Sequence, residues 1–258
     1  GGVVESRPLG SSDLMVSALA LGTMTFGNET DPAEAHAQLD RFVSAGGTFI
    51  DTADVYSSGV SEEIIGEWLK ATPARASIVL TTKGRFPLID DPTHGGTSRG
   101  YLMAAIDKSL QRLGVDHVDL YQVHGWDPHT PLEETVDALN TMVETGRTRL
   151  VGWSNVTAWQ MQRIIDLCER DGLARPVTLQ PQYNLLDRNI EVEVLPMCMA
   201  NDVGLLPWSP LGGGWLTGKY RADERPQGAT RLGEDPGRGV VAYDTRNVAT
   251  TWDPLAVV

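Results

Sequence analysis

Four polar side chains stand at or just after the ends of predicted strands, and their types are suited to delivering a proton to an oxygen atom. They are Asp51, Tyr56, Lys83 and His124. A buried lysine ammonium within hydrogen-bond distance of a tyrosine lowers the pKa of the phenol from its ordinary value of about 10. A carboxylate beside the ammonium keeps it charged, since an unpaired buried lysine loses its proton. A histidine opposite the tyrosine can donate to a carbonyl oxygen or pass it a proton.

Together these groups make a polarised proton donor for an oxygen that is gaining negative charge. This is half of a carbonyl reduction, and the other half is a hydride, which no side chain supplies. The side chain of Lys83 is also of the type that forms Schiff bases with carbonyl compounds. A barrel enzyme that uses this lysine as a nucleophile is therefore a second hypothesis.

The first two of these residues belong to one short segment. Gly46 and Gly47 end a predicted helix, and an apolar run follows over 49–50. The run turns abruptly polar at Asp51, which is the pattern of a buried strand that emerges at the end of a sheet. Tyr56, in the following loop, is predicted to fold back over Asp51. In α/β folds this end of the sheet is where catalytic residues lie.

Predicted strands and helices alternate along the chain, with one unit in about every 30 residues. A predicted hairpin over 7–21 precedes the alternating part. Seven strands then reach or cover residues 22–24, 49–51, 77–82, 118–123, 150–153, 177–179 and 204–207. This pattern predicts a (β/α)₈ barrel. A doubly wound open sheet has the same alternation, but polar residues at every strand end favour a barrel, where they converge on one site.

Five of the predicted helices begin at residues that commonly cap helices. Pro32 and Glu34 strengthen the first of these starts, and Thr157 with Gln160 matches a capping box. Another capping box, with proline at the first helical position, is predicted over residues 130–133. The five predicted caps are Asp31, Ser61, Ser98, Thr130 and Thr157.

The part of the chain after Tyr220 does not continue the alternation. It is rich in glycine, proline, arginine and aspartate, and it contains no convincing eighth strand or final helix. We therefore expect a single barrel domain over residues 1–258 that is incomplete at its C-terminal side.

Composition and charge exclude several classes of protein. A net charge of −13 argues against general nucleic-acid binding, which needs a basic face. No apolar run approaches the roughly 18 residues that a membrane span needs, and residues 1–5 do not resemble a secretory signal. Cys168 and Cys198 lie in apolar helical contexts and are expected to be buried thiols. Histidine spacing predicts no metal site. A cytoplasmic protein is expected, and its oligomeric state is not predicted.

Six short motifs occur in an order that resembles the aldo-keto reductase superfamily, over residues 7–231. Each motif is moderately specific alone, and the ordered set is much more specific. The motifs lie at 49–56 (FIDTADVY), 82–84 (TKG), 121–124 (YQVH), 152–155 (GWSN), 180–184 (QPQYN) and 208–212 (WSPLG). The resemblance implies a (β/α)₈ barrel, a small-molecule carbonyl substrate and a nicotinamide cofactor, usually NADPH, with NADH possible.

The resemblance also implies roles for individual residues. Tyr56 would be the general acid, Lys83 would lower its pKa, Asp51 would pair with Lys83, and His124 would orient the carbonyl. The implied cofactor-binding residues are Gly22, Thr23, Met24, Asp51, Ser154, Asn155, Gln180, Trp208, Ser209, Pro210, Leu211, Gly212, Gly213, Gly218, Lys219 and Arg231. Among these, Ser154, Asn155 and Gln180 would hold the carboxamide, Trp208 would stack on the nicotinamide ring, and the glycine-rich loop would follow the pyrophosphate.

Two aromatic residues are candidates for contact with the substrate. Trp126 either lines the substrate pocket or packs on the surface, and Phe26 is an equally open candidate.

Potassium-channel beta subunits resemble the chain too, in residues 208–211 and 218–220. A catalytically weak, NADPH-binding regulatory subunit is therefore the alternative function. The enzyme is favoured, since nothing in the sequence specifies a membrane partner and His124 occupies the expected position.

Overall fold

The computed structural model describes residues 4–88, 95–228, 231–234, 237 and 242–255. The chain forms two compact units. The first consists of Gly1–Leu179 and Met197–Gly204, and the second of Gln180–Pro196 and Leu205–Val258. The expectation of a single domain over the whole chain stays a prediction.

Strands of the first unit confirm the predicted barrel pattern. An antiparallel hairpin of β1 (Ser6–Pro8) and β2 (Met15–Ser17) comes first. Seven parallel strands then form one sheet in chain order, as an incomplete (β/α)₈ barrel. They are β3 (Ala20–Gly22), β4 (Phe49–Asp51), β5 (Val79–Gly84), β6 (Val118–Val123), β7 (Thr148–Ser154), β8 (Thr178–Gln180) and β9 (Gly204–Leu205). Among the described residues, no eighth parallel strand follows.

Helices connect successive parallel strands from β3 to β9. They are α1 (Pro32–Ser44), α2 (Val60–Ala71), α3 (Arg99–Leu113), α4 (Leu132–Glu144), α5 (Ala158–Asp171) and α6 (Val194–Ala200). Three predicted caps are confirmed: the side chains of Asp31 and Ser98 accept from backbone N–H groups, and Thr157 forms a capping box with Gln160. Cys168 and Cys198 are buried free thiols, as predicted. No helix in the described ranges is both long enough and apolar enough to span a lipid bilayer.

Two predicted caps are wrong, because the hydroxyl group of each residue bonds elsewhere. Helix α2 begins at Val60, and Ser61 lies inside it and donates to the carbonyl oxygen of Thr23 at 2.8 Å. Helix α4 begins after Pro131, and Thr130 donates to Asp127 Oδ2 at 2.7 Å instead of capping the helix. The contact of Ser61 is a tertiary one, whereas that of Thr130 is local, within the loop before α4.

Strand β5 is buried along its whole length, as expected for a parallel strand covered on both faces. Asp51 is opposite Thr81 in β5, and Lys83 is opposite Gln122 in β6. Successive strand residues point to opposite faces. Thr82 contacts Glu62 of α2 and so points to the helices. Lys83 therefore points to the other face, together with Asp51.

The second unit has its own small core of aromatic and aliphatic side chains. The rings of Trp215 and Tyr243 stack with centroids 5.6 Å apart, and Tyr220 and Trp252 pack edge-on against Trp215. Leu232 completes the buried set. The helical segments of this unit are short: Asn189–Glu191, Gly212–Thr217, α7 (Arg231–Glu234), α8 (Tyr243–Arg246) and α9 (Ala249–Leu255).

Candidate active site

The side chain of Lys83 is the centre of the site. It is fully buried, at 0% exposure, and its ammonium donates three hydrogen bonds. The acceptors are Asp51 Oδ2 at 2.8 Å, the carbonyl oxygen of Thr52 at 2.8 Å, and the hydroxyl of Tyr56 at 3.1 Å. All three N–H groups of the ammonium are thus used, so its position and orientation are fixed.

Tyr56 is carried by a tight turn that directly follows β4. The 3₁₀ segment Tyr56–Gly59 contains left-handed backbone at Ser57 (φ 50°), Ser58 (φ 54°) and Gly59 (φ 98°). Such conformations are uncommon for residues other than glycine and cluster at functional sites. The Ser57 hydroxyl donates to the carbonyl oxygen of Phe26 at 2.8 Å, which ties the turn to the segment after β3.

His124 comes directly after β6 and faces the tyrosine. Its backbone N–H donates to the carbonyl oxygen of Gly84 at 3.0 Å, which aligns the ends of β5 and β6. Its ring meets that of Tyr56 edge-on with centroids 6.0 Å apart, and that of Phe86 at 5.0 Å. Nδ1 of His124 is buried and has no hydrogen-bond partner in the described part of the chain. The fold thus brings together all four residues that the sequence singled out.

Burial and charge set the protonation states of these groups. Burial lowers the pKa of Lys83, but Asp51 and Tyr56 together raise it by more, so the net pKa is above its ordinary value. Burial raises the pKa of Tyr56, and the lowering expected from Lys83 is present but smaller, so this pKa also stays above its ordinary value. Burial, followed by the charges of Lys83 and Arg85, lowers the pKa of His124 to about 3. At neutral pH the site therefore holds an ammonium, a protonated phenol and a neutral imidazole.

A buried cluster of hydroxyl groups supports Asp51 from behind. Thr23, Thr52 and Ser61 are each 0% exposed. The Thr23 N–H and hydroxyl both donate to the carbonyl oxygen of Asp51, each at 3.0 Å. Ser61 lies 2.9 Å from the Thr23 hydroxyl and 3.1 Å from that of Thr52. Thr23, predicted to bind cofactor, thus has its side chain committed to this cluster, while Gly22 beside it is exposed.

The two substrate candidates differ in their surroundings. Phe26 is 0% exposed, so its ring is part of the core, and its contact with a substrate stays a prediction. Trp126 is half-buried and close to His124 in the chain. Its ring packs against Trp153 and Trp159, with centroids 6.3 Å and 5.8 Å away. Trp126 remains a candidate.

Asp127 organises the loop after β6, and sequence reasoning missed it. Its carboxylate accepts from the backbone N–H groups of Thr97 at 2.8 Å and His129 at 2.9 Å, and from the hydroxyl of Thr130. Burial raises the pKa of Asp127, but these hydrogen bonds lower it by more, to about 2. The residue is therefore a permanent anion that holds the loop carrying Trp126. An aspartate before a Thr-Pro pair was the only signal in the sequence.

Other predicted cofactor residues of the first unit lie near these groups. Met24 is 36% exposed in the turn after β3. Ser154 is buried at the end of β7. Asn155 has left-handed backbone (φ 54°), and its Nδ2 donates to the carbonyl oxygen of His124 at 3.1 Å. Ser154 and Asn155 thus lie at the end of β7, and the neighbouring strand β6 is followed directly by His124.

The second unit carries the remaining predicted cofactor residues. Gln180 is 6% exposed at the end of β8, and the Trp208 N–H donates to the carbonyl oxygen of Pro181 at 2.9 Å. Pro210, Leu211, Gly218 and Lys219 are exposed. The side chain of Arg231 lies outside the described residues.

The glycine-rich loop has the backbone of an anion-binding segment. Left-handed conformations occur at Ser209 (φ 53°), Gly212 (φ 60°), Gly213 (φ 70°), Gly214 (φ 100°) and Gly218 (φ 75°). Turns that combine right- and left-handed residues can direct backbone N–H groups toward one side, where they bind anions. The φ of 100° at Gly214 is strained for any residue with a side chain, so this position favours glycine. These residues fit a phosphate-bearing ligand.

Comparison with known proteins agrees with this description. The sequence profile of the Aldo/keto reductase family matches residues 18–250. An uncharacterized oxidoreductase of Bacillus subtilis is 38% identical over 226 residues, covering 84% of this chain and 69% of its own. A probable voltage-gated potassium channel subunit beta of rice is 38% identical over 225 residues (86% and 69%). A putative aryl-alcohol dehydrogenase of Schizosaccharomyces pombe is 35% identical over 246 residues (84% and 70%).

Proposed function

Because the chain belongs to the aldo/keto reductase family, we propose that it reduces an aldehyde or ketone to an alcohol, with hydride from NADPH or NADH and a proton from Tyr56. Relatives named as oxidoreductases support carbonyl reduction as the general reaction. The observation that carries the specific proposal is the Lys83 ammonium, which is held between the carboxylate of Asp51 and the phenol of Tyr56 at 2.8 Å and 3.1 Å.

The proton step follows from these contacts. Tyr56 is protonated at neutral pH, so its hydroxyl can donate to the carbonyl oxygen of a substrate. As that oxygen gains negative charge, the proton moves to it and a phenolate remains. The ammonium of Lys83 stabilises the phenolate, and Asp51 balances the charge of the ammonium throughout. The buried surroundings strengthen both interactions compared with water.

His124 has a separate role in this proposal. With a pKa of about 3 it is neutral at neutral pH, so it carries one N–H donor and does not compete with Tyr56 as the acid. A hydrogen bond from the ring to the same carbonyl oxygen would orient the substrate and polarise its C=O bond. The unpartnered Nδ1 is consistent with a ring that still has hydrogen-bonding capacity for a ligand.

The hydride would come from a bound reduced nicotinamide dinucleotide. Ser154, Asn155 and Gln180 offer hydroxyl and amide groups suited to the carboxamide, and Trp208 offers a ring that can stack. The left-handed backbone over 209–218 and the exposed Lys219 suit the phosphates. We keep the cytoplasm as the proposed location.

A direct test measures dinucleotide binding and carbonyl reduction by the purified protein. Fluorescence titration with NADPH and NADH gives the affinity for each, and the decrease in absorbance of NADPH with a panel of aldehydes and ketones gives turnover. We expect NADPH to bind and at least one carbonyl compound to be reduced. A protein that binds neither dinucleotide would overturn the proposal.

The rice relative favours a second candidate, a dinucleotide-binding regulatory subunit with weak catalysis. This candidate predicts that the dinucleotide binds but that carbonyl turnover is slow and nearly independent of Tyr56. Comparing the parent with Tyr56→Phe on the best substrate of the panel separates the two functions.

The Schiff-base hypothesis is less well supported. Lys83 is fully buried, all its N–H groups are bonded and its pKa is raised, whereas a nucleophilic amine must be accessible and unprotonated. Borohydride treatment in the presence of a carbonyl substrate should leave Lys83 unmodified.

A further inference from the structure

Arg85 has a buried hydrogen-bond donor for which the described part of the chain supplies no acceptor. The residue follows β5 directly and has an unusual backbone conformation, with φ of 150°. Its Nη2 donates to the carbonyl oxygen of Trp126 at 2.9 Å. Its Nε is buried and has no partner. Buried donors are nearly always satisfied in folded proteins, so this donor calls for an acceptor that the described residues do not include, such as a ligand or a bound water. The Nε atoms of Arg75 and Arg175 also make no hydrogen bond to a described residue, but each of these side chains has a carboxylate partner.

The guanidinium of Arg85 stacks on an aromatic ring that in turn packs against His124. It lies over the ring of Phe86, with Cζ 4.6 Å from the ring centroid, and that ring packs against His124 at 5.0 Å. A Cβ at Gly125 would come within 3.2 Å of Phe86 Cζ and 4.0 Å of Arg85 Cδ, so glycine leaves the room for this arrangement. The charge of Arg85 also contributes to the low pKa of His124.

Within the described part of the chain, Arg85 differs from the other partly buried arginines of the first unit in having no carboxylate partner. Arg75 pairs with Asp119 at 2.9 Å, Arg112 with Glu62 at 2.6 Å, and Arg175 with Glu169 at 3.0 Å. In the described part of the chain, no ion pair of 4.0 Å or less involves Arg85. A cation that is withdrawn from water is stabilised by a nearby anion. In a chain with a net charge of −13, an arginine with no anionic partner among the described residues is a notable departure.

We propose that Arg85 binds an anionic group of the substrate, so that the preferred substrates are aldehydes or ketones that carry a carboxylate or a phosphate. The anion would accept from the free edge of the guanidinium beside Phe86, while the carbonyl oxygen faces Tyr56 and His124. A planar guanidinium suits both anions, since it can donate two parallel hydrogen bonds. The proposal rests on the proposed carbonyl reduction, and it assigns the phosphates of the cofactor to other residues.

Paired substrates, one with an anionic group and one without it, test this proposal. The first pair is 4-formylbenzoate and its methyl ester, and the second is glyceraldehyde 3-phosphate and glyceraldehyde. For each pair, the ratio of kcat/KM for the charged over the neutral compound is measured in the parent and in Arg85→Gln. We expect the substitution to lower the ratio by about 10- to 100-fold for one pair, the range for a hydrogen bond to a charged group. The pair that responds tells whether the anion is a carboxylate or a phosphate.

A matched control removes an arginine far from the site. Arg149 lies at the opposite end of the sheet, near the start of β7, and is 53% exposed. Arg149→Gln should leave both ratios as in the parent. If Arg85→Gln lowers kcat/KM equally for charged and neutral compounds, Arg85 only holds the loop at Trp126, and the proposal is overturned.

A binding measurement decides the matter if the parent reduces none of these compounds, an outcome that counts against the proposed function. Benzoate and inorganic phosphate are titrated calorimetrically into the parent and into Arg85→Gln. Weaker binding of either anion by at least about tenfold in the variant supports the anion site. Equal affinities in the two proteins, or no binding to the parent, refute it.

Discussion

Two ion pairs of the first unit lie on opposite faces of β5. They differ in which partner is fully buried: the cation in one pair and the anion in the other. On one face, Lys83 is fully buried and its partner Asp51 is 14% exposed. On the other, Glu62 is fully buried and its partner Arg112 is 16% exposed. Consecutive residues of the strand serve the two pairs, since Lys83 belongs to the first and the Thr82 hydroxyl donates to Glu62 in the second at 2.5 Å.

The difference between the pairs lies in the third group that each one contacts. Lys83 contacts Tyr56, the proposed proton donor. Glu62 contacts a threonine hydroxyl, which does not titrate in the physiological range. The Lys83–Asp51 pair thus adjoins a phenol that could exchange a proton, whereas the Glu62–Arg112 pair joins structural elements, here α2, α3 and β5.

The largest effect is expected from removing the ionisable third partner. Tyr56→Phe removes only the hydroxyl that donates the proton, so kcat for carbonyl reduction should fall by about 10²- to 10⁴-fold, the usual contribution of general acid catalysis. The dissociation constant of NADPH should change little, because the hydroxyl acts in the transition state.

Steady-state kinetics and fluorescence titration check this prediction together. Comparable turnover by Tyr56→Phe would refute the assigned role. Weakened NADPH binding with unchanged kcat would instead place the hydroxyl in the cofactor site.

Breaking the Glu62–Arg112 pair should lower the stability of the protein and leave its kcat nearly unchanged. Arg112→Met leaves the fully buried carboxylate of Glu62 without its counter-ion, which typically costs about 3–5 kcal/mol in the free energy of unfolding. The kcat of the molecules that remain folded should stay close to that of the parent. Urea denaturation gives the stability, and activity per folded molecule gives the comparison.

The partner substitution provides the control for this prediction. Glu62→Gln leaves Arg112 without its carboxylate, but this side chain is partly exposed and can reach water, so the loss of stability should be smaller. Equal losses in the two variants would contradict the asymmetry in burial.

The charges of both ion pairs act on the pKa of Asp54, so the pH dependence of stability gives a further comparison of the pairs. It is 3% exposed, and its N–H donates to the carbonyl oxygen of Lys83 at 3.0 Å. Burial, then the charge of Glu62, raises its pKa to about 7, although Arg112 and Lys83 act in the opposite direction. The pKa of Asp54 in the folded state is above that in the unfolded state. The contribution of Asp54 to the free energy of unfolding is therefore fully present below about pH 4 and is lost as the pH rises through 7.

Asp54→Asn should therefore flatten the pH dependence of stability. Between pH 5 and 8, the parent should lose about 2–3 kcal/mol relative to the variant. Urea denaturation at several pH values measures both proteins. A constant difference between them across this range would show that Asp54 does not titrate there.

The smallest effect is expected from neutralising the acid of the reactive pair. Asp51 is one of the groups that raise the pKa of Lys83. Asp51→Asn should therefore lower that pKa and move the alkaline limb of the kcat/KM profile to lower pH. A profile that does not move would count against a functional link between the two residues.

The sequence predicted the residues on the Lys83 face of β5 better than those on its Glu62 face. The reason is the regular alternation of strands and helices. Asp51, Lys83 and His124 lie at the carboxyl ends of neighbouring parallel strands, and the alternation of strands and helices is visible in the order of apolar residues. Parallel strands bring such ends to one edge of the sheet, so the grouping follows from the topology. The resemblance to a known family then supplied the roles.

The face of β5 that contacts Glu62 has no comparable periodic pattern in the sequence. Glu62 and Arg112 are 50 positions apart on two different helices, and only the packing of α2 against α3 brings them together. The same limit explains the wrong caps, since Thr130 and Thr157 have equally good sequence patterns. Thr130 donates to Asp127, three residues earlier, and helix-capping patterns do not show which of two nearby acceptors or donors a hydroxyl will use.

The position of Lys83 directly after Thr82 restricts how this chain can change in length. Inserting or deleting a single residue within β5 would exchange its two faces, so that the ammonium would meet α2 and α3 while a hydroxyl met Asp51 and Tyr56. Protein engineers who vary loop lengths should therefore leave residues 79–83 intact, and natural length variation is expected in the loop after Gly84.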